Sequence, residues 1–181
     1  MQWGSIVNAL ILIGFFAALV GPLRMQAKSE RILVHGHRGA RAVLPENTLP
    51  AFKYAIEVGA DVLEMDLGVT KDGVLVVAHD PYINTVFCQY KDGKKIPEGV
   101  LIHQLTLNEI KSIDCGSLKN PKFPKQKPVP GTEIPTLDEV LDLVEKHPSP
   151  HARKIGFNIE TKIEEAKPDE TVDPKTFAKM F

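Results

Sequence analysis

Cysteine is nearly absent: Cys88 and Cys115 are the two among 181 residues. Two thiols exclude a disulfide scaffold and a thiolate zinc centre. They can close one bridge in an oxidising compartment or stay as two small apolar side chains, and the sequence leaves both open. An excess of positive charge is missing too. Lys and Arg number 22 against 23 Asp and Glu, a formal charge of −1. That balance provides no basic field to displace phosphate counterions, so nucleic acid is excluded as a partner. No internal repeat is present. With 43% apolar and 25% charged residues, the composition is that of a globular protein and not a disordered chain.

Charge is also missing from Gln2 to Leu23, and Ile6 to Leu23 is almost wholly apolar. A run of this length lies between a secretory apolar core and a membrane span. The Lys or Arg that normally precedes a secretory core is absent, and Arg24-Met25-Gln26-Ala27 is a weak cleavage pattern. Residues 1–27 are expected to be a signal peptide or an N-terminal membrane anchor, with a buried core helix as the plainer alternative. Either of the first two places the rest in the periplasm or outside the cell, or holds it at a membrane facing out of the cytoplasm. The chain beyond residue 27 has the length of one domain.

That remainder alternates short apolar runs with helical spacing. Ile32-Leu33-Val34 reads as a strand ending in His35-Gly36-His37-Arg38-Gly39. Asn47 or Thr48 then caps a helix whose apolar face is Leu49, Phe52, Ala55 and Ile56, with Gly59 as its stop. Asp61 to Val69 is a second strand, Lys71-Asp72-Gly73 a turn, and Val74 to His79 a third strand. Residues 81–135 read as a long irregular insert with one helix, opened by the capping box Thr106-Leu107-Asn108-Glu109. Thr136-Leu137-Asp138-Glu139 opens another helix, and Ile155 to Thr161 is the fourth strand. Residues 164–181 are charged and interrupted by proline, with room for one short helix, and are expected to be a poorly ordered tail. Strands interleaved with helices indicate an α/β fold.

Chemistry gathers at the strand ends. Residues i and i+2 of a strand point the same way, so Glu64 and Asp66 share one face while Leu63, Met65 and Leu67 take the other. If the four strands run parallel, Glu64, Asp66 and Glu160 converge on one rim, where α/β folds place their sites. Three carboxylates without thiolates form a hard oxygen set suited to one divalent cation, Ca²⁺ or Mg²⁺. An exposed strand edge is the bland alternative, and the apolar residues at the alternate positions argue against it. His37 and His79 can divide proton transfer between them. Arg38 supplies a planar fork suited to phosphate, and Lys162 a point charge beside the third carboxylate.

Taken together, His37-Arg38-Gly39 with Pro45-Glu46-Asn47-Thr48, then Glu64-Met65-Asp66, His79-Asp80 and Glu160-Thr161-Lys162, resembles the glycerophosphodiester phosphodiesterases. The resemblance implies a (β/α)8 TIM barrel, of which residues 30–163 are the N-terminal part, and hydrolysis of small glycerophosphodiesters to an alcohol and glycerol 3-phosphate, in phospholipid and glycerol metabolism. It implies Glu64, Asp66 and Glu160 as ligands of one divalent cation, and His37 and His79 as general acid and base. Arg38 and Lys162 would hold the phosphate, and Glu46 would assist at the metal or at a substrate hydroxyl. Lys119, Lys122, Lys125 and Lys127 in the insert either attract an anionic substrate or form a solvated loop.

A complete barrel needs eight strands, and only about the first four β/α units are legible. The expectation is therefore a truncated barrel: a fragment of a longer protein, or a half-barrel that dimerises, inactive or weakly stable by itself. Two competing functions stand beside the first. One is a phospholipase D-like enzyme of the same superfamily, against which the Pro45-Glu46-Asn47-Thr48 motif weighs. The other is an inactive membrane-tethered binding module, for which the missing half-barrel argues.

Overall fold

The structure, a computed structural model, describes residues 31–163 and 165–180. The expected leader, residues 1–27, lies outside the described residues. Among the described residues no helix is long and apolar enough to cross a membrane. Leu33–Phe181 form one unit by their contacts.

A single strand organises this unit. β2 (Val62–Val69) is buried along its whole length. β6 (Gly156–Thr161) runs parallel along one of its edges, from Val62↔Gly156 to Leu67↔Thr161. The other edge is shared by two short strands. β1 (His35–Gly36) pairs in parallel with Val62 and Leu63, and β3 (Leu75–Val77) pairs antiparallel with Leu67 to Val69. The expected parallel third strand is thus corrected. Thr70 to Gly73 closes a tight turn, with Gly73 at φ +80°, and a parallel neighbour would need a crossover of a dozen residues or more. The hairpin still serves the rim, because β3 runs back along β2 until the Ala78 amide donates to the Asp66 carbonyl at 2.9 Å. His79 therefore arrives at the level of the acids from the opposite direction.

The first strand is shorter than the sequence indicates. Ile32, Leu33 and Val34 are exposed, and regular pairing starts only at His35. Val34 does accept from the Asp61 and Val62 amides, but no neighbouring chain among the described residues covers it.

Two helices pack behind the sheet. α1 (Leu49–Glu57) starts at Thr48, whose hydroxyl accepts from the Ala51 amide, with a proline in its first turn where no amide is needed. α3 (Leu137–Glu145) starts with a complete Thr136–Glu139 capping box. Leu63, Met65 and Leu67 meet Phe52, Ile56 and Val140 in the main apolar cluster. That is the division of β2's two faces expected from alternation.

The insert builds a second cluster, with Ile83, Ile96, Ile102, Ile110 and Ile113 packed on Val76. Its regular structure is slight: a 3-10 turn Ile102–Gln104, the four-residue helix α2 (Leu107–Ile110), and a ribbon of β4 (Gln89–Tyr90) with β5 (Ile113–Asp114). Cys88 and Cys115 form a disulfide inside it. The segment after β6 also departs from expectation. It carries a 3-10 turn, Pro168–Glu170, and the helix α4 (Pro174–Ala178), capped by Asp173. Phe177 is 1% exposed within the main cluster, and burying that one ring fixes a stretch whose composition reads as loose.

Candidate active site

The turn after β1 shapes the centre. Gly39 holds φ +77°, and a Cβ there would sit 2.8 Å from the Ala51 backbone, so only glycine lets the turn lie against α1. Arg38, at φ +50°, occupies the left-handed region that non-glycine residues seldom adopt. This backbone aims the Arg38 amide at Glu64 Oε2, 2.6 Å away. The Arg38 guanidinium then turns back to Glu46 Oε1 at 2.7 Å and lies 3.3 Å from Asp66 Oδ2. Glu46 also accepts from Arg41 at 2.7 Å, so one buried carboxylate braces two arginines.

Asp66, 1% exposed, is the most enclosed charge of the site. Lys162 reaches Oδ1 at 2.9 Å, and the Asn47 amide donates to Oδ2 at 3.0 Å. Burial alone would push its carboxyl up, but Asn47, Lys162 and Arg38 together outweigh burial and hold it below the ordinary carboxylate value. Lys162 also reaches Glu160 Oε2 at 2.6 Å. Burial works against its charge, and the two acids more than compensate, so its pKa is raised.

The three expected acids do meet. One carboxylate oxygen each from Glu64, Asp66 and Glu160 lies within 4.8 Å of the other two. Bonds of about 2.0–2.6 Å from a shared centre give oxygen separations of this size, so the set fits Ca²⁺ or Mg²⁺. Three negative charges face two cations, Arg38 and Lys162, which leaves a deficit that a divalent ion would cover. Glu64 and Asp66 are buried and Glu160 is exposed, so such a centre would be open on the β6 side.

His37 lies 3.8 Å from Glu64 Oε2 with its side chain 57% exposed. Among the clefts that His79 lines, one is shared with Arg38, Arg41 and Glu46 and another with Lys162 and Tyr82. Its Nδ1 is 2.9 Å from Asp80 Oδ1. Of the four insert lysines, Lys122 alone lines either cleft, while Lys119, Lys125 and Lys127 are exposed. The loop carrying Lys122 docks through Gln126, which donates to the Arg41 and Leu44 carbonyls, and through Phe123, whose ring lies 4.6 Å beneath the Arg41 guanidinium.

Sequence reasoning passed over Asn47 as a site residue, reading it only as a cap. Its φ of +54° carries it out of the cap position and onto Asp66. Arg41 and Asn84 were also passed over. The spacing of Arg41 to Glu46 follows a turn and not a helix, so periodicity carried no signal for it.

Strands ending in acids, imidazoles and cations at one rim define the class of α/β proteins that carry their chemistry at strand ends. The model of the glycerophosphoryl diester phosphodiesterase family matches residues 37–178, and the chain belongs to that family. A glycerophosphodiester phosphodiesterase of Bacillus subtilis is 34% identical over 177 residues, covering 93% of this chain and 55% of the relative. A solved protein of Silicibacter pomeroyi assigned to the same family superposes with a TM-score of 0.71 at 31% identity, covering 82% of this chain and 50% of that one. An Oleispira antarctica phosphodiesterase, solved with the product sn-glycerol-3-phosphate, gives a TM-score of 0.57 at 28% identity, covering 82% of this chain and 51% of that one. The chain thus spans about half the length of the relatives it matches.

Proposed function

We propose that this chain forms one side of a (β/α)8 barrel and hydrolyses glycerophosphodiesters to an alcohol and glycerol 3-phosphate. The observation that carries the proposal is the meeting of Glu64, Asp66 and Glu160 within 4.8 Å, with His37 beside Glu64. Membership of the family and the product held by the Oleispira relative support the substrate class.

A phosphodiester resists hydrolysis because its oxygens repel a nucleophile and its alkoxide leaves poorly. Glu64, Asp66 and Glu160 would hold the cation, Ca²⁺ or Mg²⁺. When bound, it would draw charge from the phosphoryl oxygens. Arg38 and Lys162 add fixed positive charge, which Glu46 and Asp66 keep in place. His37 and His79 divide the proton work: one imidazole takes the proton of the attacking hydroxyl, and the other, protonated, gives one to the leaving alkoxide. Over one hydrolysis an O–H bond of water and the P–O bond to the alcohol break, a new P–O bond and the alcohol O–H form, and the two imidazoles regain their starting state by a proton exchange with solvent.

The Cys88–Cys115 disulfide supports a location outside the reducing cytoplasm. Release of glycerol 3-phosphate from glycerophosphocholine by the purified chain, with and without EDTA, tests the proposal. Release that stops with EDTA and returns with Ca²⁺ or Mg²⁺ is the expected result. No release at any metal concentration rejects it in favour of a binding module, and a preference for sphingomyelin or lysophosphatidylcholine rejects it in favour of phospholipase D-like chemistry.

A further inference from the structure

The imidazole of His79 is the end of a chain of contacts that starts inside the insert. Asp80 offers Oδ1 to His79 Nδ1, and its other oxygen, Oδ2, accepts from the Asn84 side-chain amide at 2.7 Å. With one oxygen on the imidazole and the other on Asn84, the Asp80 carboxylate cannot rotate without breaking a hydrogen bond. Asn84 is itself anchored on three sides. Its Oδ1 accepts from the Val86 amide at 3.1 Å, its carbonyl accepts from the Cys88 amide at 3.0 Å, and its neighbour Ile83 is buried with its amide on the Val100 carbonyl. Cys88 is bonded to Cys115, next to β5 and the insert's apolar cluster.

We propose that Asn84 is a positioning residue for His79. Acting through Asp80, it fixes the ring as the neutral tautomer with Nδ1 protonated, leaving Nε2 as the atom that exchanges a proton with substrate. A carboxylate that accepts from Nδ1–H selects this tautomer because the alternative would set a lone pair against its charge. The Cys88–Cys115 bond makes the turn that carries Asn84 a rigid mount. The proposal rests on the hydrolase reading for its kinetic consequence and on geometry alone for the tautomer.

The test separates these two parts. Asn84→Asp keeps the acceptor that holds the Val86 amide but removes the amide donated to Asp80. A residue that only shapes the turn would therefore tolerate the change. In the full ¹⁵N-labelled chain, long-range proton–nitrogen spectra above neutral pH report the His79 tautomer, assigned by the signals lost in His79→Gln. The expected result is a ratio of Nδ1-protonated to Nε2-protonated ring that falls about three- to tenfold in Asn84→Asp. Asn84→Ala, which adds no charge, gives the same fall and decides the matter if the Asp variant does not fold. With glycerophosphocholine, kcat falls about tenfold and KM stays within twofold. An unchanged tautomer ratio in a folded variant overturns the proposal. A wild-type chain that releases no product rejects the hydrolase reading and leaves the tautomer result to stand or fall by itself.

Discussion

The wall of β2 and its neighbours and the insert that follows β3 hold functional side chains in two different ways. On the wall, regular alternation does the work. Leu63, Met65 and Leu67 lock into the cluster under α1 and α3, and the intervening acids have no choice but the opposite face. The insert has almost no regular structure and relies on a disulfide, turn hydrogen bonds and one carboxylate, Asp114, which accepts from the Gly116, Ser117 and Gly131 amides and the Ser117 hydroxyl. A sheet positions a residue through many weak, redundant contacts. A loop positions one through a few specific bonds, each of which can be cut singly.

The largest effect should come from the wall. Phe52→Ala removes a fully buried ring beneath β2 and is expected to cost about 3–5 kcal/mol in urea unfolding, lowering activity only in proportion to the unfolded fraction. Asp66→Asn leaves the packing intact but removes the charge that Lys162, Arg38 and Asn47 surround. A 10²–10³-fold fall in glycerol 3-phosphate release, roughly 3–4 kcal/mol, is expected, with a smaller loss of about 1–3 kcal/mol in stability because Lys162 and Arg38 lose the charge that they face. A large loss of stability in this variant would blur the contrast between shape and chemistry.

Cutting the insert should cost less. Replacing Cys88 and Cys115 together by serine frees a loop of 27 residues' separation and is expected to lose about 3 kcal/mol, read from denaturant midpoints against wild type. If the wall and insert unfold separately, the midpoints from near-UV and far-UV signals will part in this variant alone. Asp114→Asn should lose about 1–3 kcal/mol. Burial raises the Asp114 carboxyl, but the Ser117 hydroxyl and the amides outweigh it, so its folded pKa is lowered. Its contribution is therefore complete above the unfolded value of about 4 and disappears as pH falls through the lower folded value. The gap between wild type and Asp114→Asn should accordingly be constant from about pH 5 to 8 and close only below about pH 4.

The same contrast governs what the sequence could disclose. Glu64 and Asp66 are legible because a period of two is strict and the apolar residues between them leave one assignment. Both capping boxes form where Thr106 and Thr136 announce them, each three residues before its glutamate. The direction of β3 is a different matter. The turn at Lys71-Asp72-Gly73 marks a tight connection, yet the parallel rim expected from four strands conflicts with it, and the turn prevails. Asn47 and Asn84 depend on backbone torsions and on partners 19 and 4 residues away, with no period to betray them. Phe177 is one of two aromatics in a charged stretch, and nothing in its spacing tells that it joins the main apolar cluster.

Finally, the insert departs and returns at almost the same place. It leaves β3 at His79, and its far end comes back to that strand, where Val77 donates to the Pro135 carbonyl and Val76 bridges Thr136. Its two stems are thus pinned side by side by the sheet, so the entropy of bringing them together is settled before any residue of the insert is chosen. The exposed turns of this stretch can be lengthened or replaced between pinned stems, so long as Asn84, Phe123 and Gln126, which reach back to Asp80 and Arg41, are kept.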